Sequence, residues 1–191
     1  MKQLAMIHNM QNIEDYPLHE DFSVRNYRPG EELIWVEICK NGLFAHDVGY
    51  EGWKNEILGR ENLVPEKDIF MICNKDDVPV ATITGYVRPN GIGDIHMVAA
   101  KNEVRGKNVG RAMLSIAMRK LKTEMDGENR LTHLTTDDHR LAAIVGYLKA
   151  GFKPVLYDED MDDRWRGVCN KIGIHGIEMV DEEGKKTGIV L

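Results

Sequence analysis

The sequence predicts a mixed α+β fold built on one central, mostly antiparallel sheet. Three observations carry that reading. Between residues 68 and 100, three β-rich segments follow one another through short loops, and strands joined that tightly pair antiparallel. A helical pattern of about four turns comes directly after them. Strand, helix and strand then alternate, which mixes α/β connectivity into the plan. The chain has 191 residues, enough for one domain with a sizeable core.

Residues 1–21 are polar and Met-rich without a clear period, and read as an arm ahead of the domain. "FSVRNY", Phe22–Tyr27, alternates like a short strand, and Arg28-Pro29-Gly30 turns it. In "EELIWVEICKNGLF" the spacing of Leu33, Ile34, Glu37, Ile38 and Leu43 predicts an amphipathic helix ending near Gly42. "AHDVGYEG" is a loop and "WKNEILGRENL" a second short helix. Asp68–Asn74, Val78–Val87 and Asp94–Ala100 are the three strands of the meander. Val109, Met113, Leu114, Ala117, Met118 and Leu121 then mark one face of the long helix. Arg130–Thr136 is a strand, Arg140–Ala150 a helix ended by Gly151, and "FKPVLY" another strand. The tail, 158–191, reads as a solvated acidic turn ("DEDMDD"), a short helix around "RWRGVCNKIG" and a hairpin turning at Glu183–Gly184. That hairpin either extends its own sheet or pairs with a second chain in a homodimer.

Composition excludes several classes. Apolar residues make up 42% and charged residues 29%, ordinary values for a soluble globular protein. A net charge of −6 argues against a nucleic-acid partner. No run approaches the roughly 18 apolar residues of a membrane span. Three cysteines, with no C-x-x-C spacing, suggest neither a disulfide framework nor a metal site. Together with an N-terminus lacking an apolar signal core, this predicts a cytoplasmic protein.

One stretch asks for a chemical reason: "VRGKNVGRAML", Val104–Leu114. Two glycines and three basic residues stand where a strand ends and a helix begins. A helix start offers free N–H groups and a positive dipole end, and anions bind there. The dinucleotide fingerprint and the nucleotide P-loop both fail to match. What remains is R-x-x-x-x-G, an arginine followed by a tight turn whose backbone could cup a pyrophosphate, or else a loop that merely starts a helix.

These residues resemble the GNAT superfamily of N-acetyltransferases. "VRGKNVGRAMLSIAMRKL" is similar to its acetyl-CoA loop and helix, with Arg105 and Gly110 at the outer positions of [RQ]-x-x-G-x-[GA] and Asn108 where the middle glycine is expected. Asn is the side chain most at ease at positive φ. "DDHRLAAIVGYLKAGF" is similar to a second family segment, with Ala143, Tyr147, Lys149, Gly151 and Phe152 in place and Gly146 replacing a large apolar residue. The resemblance covers residues 22–157, leaving 158–191 as an extension packed on the same domain.

The resemblance implies helices on both sheet faces and a splayed, parallel strand pair, with "FKPVLY" as the partner of the strand before the loop. It implies direct transfer of acetyl from acetyl-CoA to a primary amine of a small molecule or a protein. A non-catalytic acyl-CoA-binding module of the same fold is the alternative. Val98, Ala99 and Ala100 would hold the pantetheine arm, and Arg105, Gly106, Lys107, Asn108, Val109, Gly110 and Arg111 the pyrophosphate. Tyr147 would protonate the departing thiolate or else pack on the sheet. Asp94 and His96 share one face of their strand. His96 is then either the base or a structural residue beneath the loop, and Asp94 orients it or caps the strand end. Tyr50 and Trp53 lie where the family lines its acceptor pocket, or else cover the core.

Overall fold

The computed structural model describes residues 2–104, 106–127 and 130–190. Arg105 lies outside the described residues. In chain order the elements are β1 (Leu4–His8), β2 (Ser23–Asn26), α1 (Glu32–Cys39) and α2 (Tyr50–Trp53), which runs on into a π-helical turn at Lys54–Leu58. Next come α3 (Pro65–Asp68), β3 (Ile69–Cys73), β4 (Pro79–Val87), β5 (Gly93–Ala100) and a 3₁₀ turn at Asn102–Val104. The rest of the chain forms α4 (Val109–Glu124), β6 (Thr132–Thr136), α5 (Leu141–Lys149), β7 (Lys153–Val155), α6 (Met161–Ile172), β8 (Ile177–Val180) and β9 (Lys186–Val190). This is the mixed α+β plan that the sequence predicts. The chain divides into two compact units, Glu14–Asp126 and Met1–Ile13 with Gly127–Leu191. No helix among the described residues is long and apolar enough to cross a membrane.

In the unit Glu14–Asp126, β2, β3, β4 and β5 pair antiparallel in that order. Helix α4 packs on β3, β4 and β5. Its approach is close because β4 carries Gly85, where an added Cβ would sit 3.2 Å from the Ala117 Cβ. The opposite face bears a cluster in which Trp53 stacks on Tyr27 at 4.8 Å and meets Trp35 edge-on at 5.2 Å. Helix α1 buries Trp35, Val36, Ile38 and Cys39, whereas Leu33 and Ile34 are exposed. The expected inward face was therefore misassigned. The helix is apolar nearly all round, so apolar spacing does not choose a face, and the side that removes Trp35 from water wins.

In the other unit the strand order is β6-β1-β7-β8-β9. β1 pairs antiparallel with both β6 and β7, and all five of its residues are buried. The first residues thus do not form a featureless arm. A strand with both edges paired and both faces covered has no polar alternation to read. β7 is flanked by β1 and, in parallel, by β8. Both its edges are taken, so "FKPVLY" is not the partner of the strand before the loop. The C-terminal hairpin β8–β9 extends its own chain's sheet through that parallel pair, the first of the two expected outcomes.

Helix α6 starts earlier than its apolar pattern suggests. Asp160 stands at its cap and Asp162 and Asp163 in its first turn. The acidic run is therefore a helix start, where carboxylates complement the dipole, and not a free turn.

Candidate functional site

Strand β5 is irregular where the sequence places the cofactor arm. Between the pairs Thr82↔Ala99 and Thr84↔His96, β4 advances two residues and β5 three. Met97 occupies φ 51 at this bulge. A bulge re-aims the strand's backbone and side chains, and is common beside functional sites. It sits among the predicted residues Val98, Ala99 and Ala100, of which Ala99 is buried and the other two half-buried.

The turn into α4 is left-handed. Gly106 has φ +77, and Asn108, the helix N-cap, has φ 56 and ψ 20. The backbone conformation expected of a middle glycine is thus carried by asparagine. Val109 is buried and anchors the helix start, while an added Cβ at Gly106 or Gly110 would meet no atom within 4 Å. The described basic side chains here are engaged by carboxylates of the preceding segment. Lys107 Nζ lies 3.1 Å from Asp21 Oδ2, and Lys75 Nζ 2.7 Å from Asp21 Oδ1. Hydrogen bonds from those two lysines hold the Asp21 carboxyl down at about 2. Arg111 meets both Glu14 oxygens at 2.5 and 2.7 Å and lies 4.3 Å from the Tyr16 ring centre. Asp21, Phe22, Lys75 and Lys107 help to line a cleft of about 320 Å³ beside the turn.

Asp94 and His96 share the sheet face away from α4 but not their partners. Asp94 is buried and accepts from Tyr86 Oη at 3.0 Å and Arg88 Nε at 3.0 Å. Its described partners, Tyr86 and Arg88, belong to β4 and the turn after it. His96 Nε2 instead faces Glu56, 3.2 Å from Oε2 and 3.1 Å from the main-chain oxygen. The hydrogen bond from His96 holds the Glu56 carboxyl below its usual range, against the pull of burial. Sequence reasoning missed Glu56. The pair is 40 residues apart, and no local motif marks it. Directly opposite His96 on β4, Thr84 is fully buried, and its Oγ1 has no hydrogen-bond partner among the described residues.

In the other unit Tyr147 lies on the buried side of α5, its ring 6.2 Å from that of Phe152. Burial pushes its phenol up to about 12, with Arg140 opposing. At neutral pH it is therefore a proton holder. Phe152 packs in turn on His8, 5.3 Å between ring centres. His8 Nδ1 accepts the Met10 N–H at 2.9 Å, and burial drives its pKa down to about 4, assisted by Lys153.

The two predicted acceptor-site aromatics separate. Trp53 is buried within the aromatic cluster, whereas Tyr50 is 45% exposed. Asp138 is held by Arg164 at 2.5 and 3.1 Å, and Asp137 by Arg140 at 2.8 Å.

The mixed α+β frame with a glycine-rich left-handed turn before its long helix defines an acyltransferase scaffold. The chain belongs to the acetyltransferase (GNAT) family, whose model matches residues 38–152. Among solved structures, a GCN5-related N-acetyltransferase from Sphaerobacter thermophilus is 18% identical, with a TM-score of 0.64 over 79% of this chain and 47% of its own. One from Kribbella flavida is 16% identical, with a TM-score of 0.53 over 80% and 54%. An acetyltransferase of the GNAT family from Staphylococcus aureus Mu50 is 14% identical, with a TM-score of 0.52 over 67% and 81%. The chain spans about half the length of the first two, at 47% and 54%. At these identities the likeness is one of fold. No functionally curated protein is detectably related in sequence.

Proposed function

We propose that this protein moves an acetyl group from acetyl-CoA to a primary amine, on a small molecule or a protein, by direct transfer in a ternary complex. The observation that carries the reading is Asn108 at φ 56, which gives the helix start the left-handed turn that a pyrophosphate cradle needs. The residues present fit that group. Gly106 and Gly110 leave open space beside their backbone, and Lys107 and Arg111 bring charge. Acetyl-CoA, when bound, supplies an activated acyl thioester. Val98, Ala99 and Ala100 would bind the pantetheine arm through their backbone, with Gly106–Arg111 and Arg105 at the phosphates. His96 takes the ammonium proton, and Tyr147 holds a proton at its hydroxyl for the departing sulfur. Three buried cysteines, none in a disulfide, favour a reducing compartment such as the cytoplasm.

The test is acetyl-CoA-dependent release of free thiol across a panel of primary amines, run beside direct measurement of CoA binding. Turnover with at least one amine is expected. Tight CoA binding without turnover across amines, peptides and basic proteins would overturn the catalytic reading in favour of a binding module.

A further inference from the structure

We infer that Glu56 is the positioning residue of the amine-deprotonating step: through its carboxylate and its carbonyl it fixes the His96 tautomer and leaves Nδ1 as the proton acceptor. The inference rests on the acetyl-transfer reading above for the step it serves, but on geometry alone for the tautomer.

The argument begins with an irregular helix. In an α-helix the N–H of Arg60 would bond to the carbonyl of Glu56. Here the Lys54–Leu58 segment is wound as a π-helical turn, with Gly59 N–H reaching the Lys54 oxygen at 3.1 Å. Arg60 N–H goes to the Ile57 oxygen instead, also at 3.1 Å. The Glu56 carbonyl is thereby released from the helix ladder. Two side chains take it, His96 Nε2 at 3.1 Å and Arg60 Nε at 3.3 Å. π-Turns cost hydrogen-bond geometry and occur often at functional sites.

Both atoms of Glu56 near His96 Nε2 are acceptors. A carbonyl and a carboxylate oxygen cannot donate, so in neutral His96 the ring hydrogen resides on Nε2. The lone pair is left on Nδ1. When an ammonium group meets that atom, its N–H bond breaks and the electron pair stays on the amine nitrogen. A new N–H bond forms at Nδ1, and the ring carries the positive charge. Glu56 then faces that charge with its carboxylate at 3.2 Å, at the negative end of a helix. The arrangement serves a base because the charge is met only after the proton has moved.

The surroundings keep the Glu56 carboxylate ionised. Arg60 shares the Glu56 carboxylate at 3.2 Å, from the same helix end. On β4, Tyr86 engages Asp94 of β5, which is also bound by Arg88. Cys39 of α1, near Glu56, has its thiol pushed up by burial and is uncharged. Thr84, opposite the ring, is a buried hydroxyl with no hydrogen-bond partner among the described residues. His96 retains 15% side-chain exposure and Glu56 33%, so neither is sealed from an incoming amine.

Two measurements on the full chain test this. Long-range proton–nitrogen NMR of the ligand-free protein should show His96 as the Nε2–H tautomer. An Nδ1–H tautomer overturns the inference whatever the activity proves to be. The second is the pH profile of kcat/KM for wild type, Glu56→Gln and Glu56→Ala, with circular dichroism as the check on folding. Loss of the carboxylate should move the acidic limb toward acid and lower the plateau, with KM for acetyl-CoA unchanged. Glu56→Gln and Glu56→Ala should agree in the limb. A lower plateau with an unmoved limb would mark Glu56 as merely structural and overturn the inference. Should no amine be acetylated, the acetyl-transfer reading fails, and the tautomer measurement alone then decides what Glu56 does to His96.

Discussion

Acidification should weaken this fold through one histidine. His8 has a pKa of about 4, against 6.5 for an unperturbed imidazole. It is 5% exposed, and its Nδ1 is occupied by the Met10 N–H, so a proton has no favourable place on the folded ring. A histidine whose pKa is lower folded than unfolded binds protons preferentially when unfolded. Its stability contribution is complete above pH 6.5, is lost as pH falls toward 4, and loses no more below that. The difference corresponds to about 3 kcal/mol in all, of which about 2 kcal/mol is gone by pH 5. Carboxylates titrate over part of the same range, so wild type alone is not decisive. The measurement is the stability difference between wild type and His8→Asn, from urea unfolding at pH 7.5, 6, 5 and 4.5. Asparagine can accept the Met10 N–H and does not titrate. The difference should shift against wild type by about 2 kcal/mol between pH 7.5 and pH 5. A constant difference would refute the reasoning. Because His8 packs on Phe152 and Phe152 on Tyr147, the same protonation should loosen the seat of the proposed proton donor.

Other consequences can be measured independently. Tyr147→Phe should lower kcat roughly 10²–10⁴-fold with CoA affinity unmoved, and full activity would show that another group protonates the sulfur. Asn108→Gly should leave CoA binding and thermal stability nearly unchanged, whereas Asn108→Val should cost about 1–2 kcal/mol of stability for its left-handed backbone and weaken CoA, as calorimetry would register. Gly85→Ala should destabilise by about 1–3 kcal/mol in denaturant unfolding, since its Cβ would press on Ala117 at 3.2 Å and α4 must shift. Asp21→Asn should tighten CoA a few-fold, with a steeper salt dependence, by releasing Lys107 and Lys75; unchanged affinity would separate these lysines from phosphate binding.

How much of the fold was readable depended on whether a segment shows water on one side. The meander β3–β5 and helix α4 stood out because their bounding turns and helical period are local signals. β1 was missed because "LAMIH" is paired on both edges and buried throughout, which leaves a short apolar run without alternation. Such a run is itself a signal of a central strand. The face of α1 was misread for the related reason that Leu33, Ile34, Trp35 and Val36 are consecutive and apolar, and only tertiary packing selects Trp35 and Val36. The placement of "FKPVLY" failed because strand neighbours are set by topology, to which its own residues contribute nothing.

The chemistry was legible in residue type and illegible in partner choice. A sequence shows that Lys107 and Arg111 are cations at a helix start. It does not show that Asp21 and Glu14, 86 and 97 residues away, hold them. That pairing bears on how an acidic chain keeps a cationic turn. With no anion present, the carboxylates satisfy the basic side chains at the surface, where each such pair is worth only about 0–1 kcal/mol. A phosphate ester bound there as proposed would forfeit little by displacing them. It would also gain what a carboxylate at the end of a side chain cannot reach, the N–H groups beside Gly106, Asn108 and Gly110. By the same logic Glu56 was invisible while His96 was not. An imidazole announces its chemistry in any strand, but what holds one of its nitrogens is a carbonyl set free by a π-helical turn 40 residues earlier.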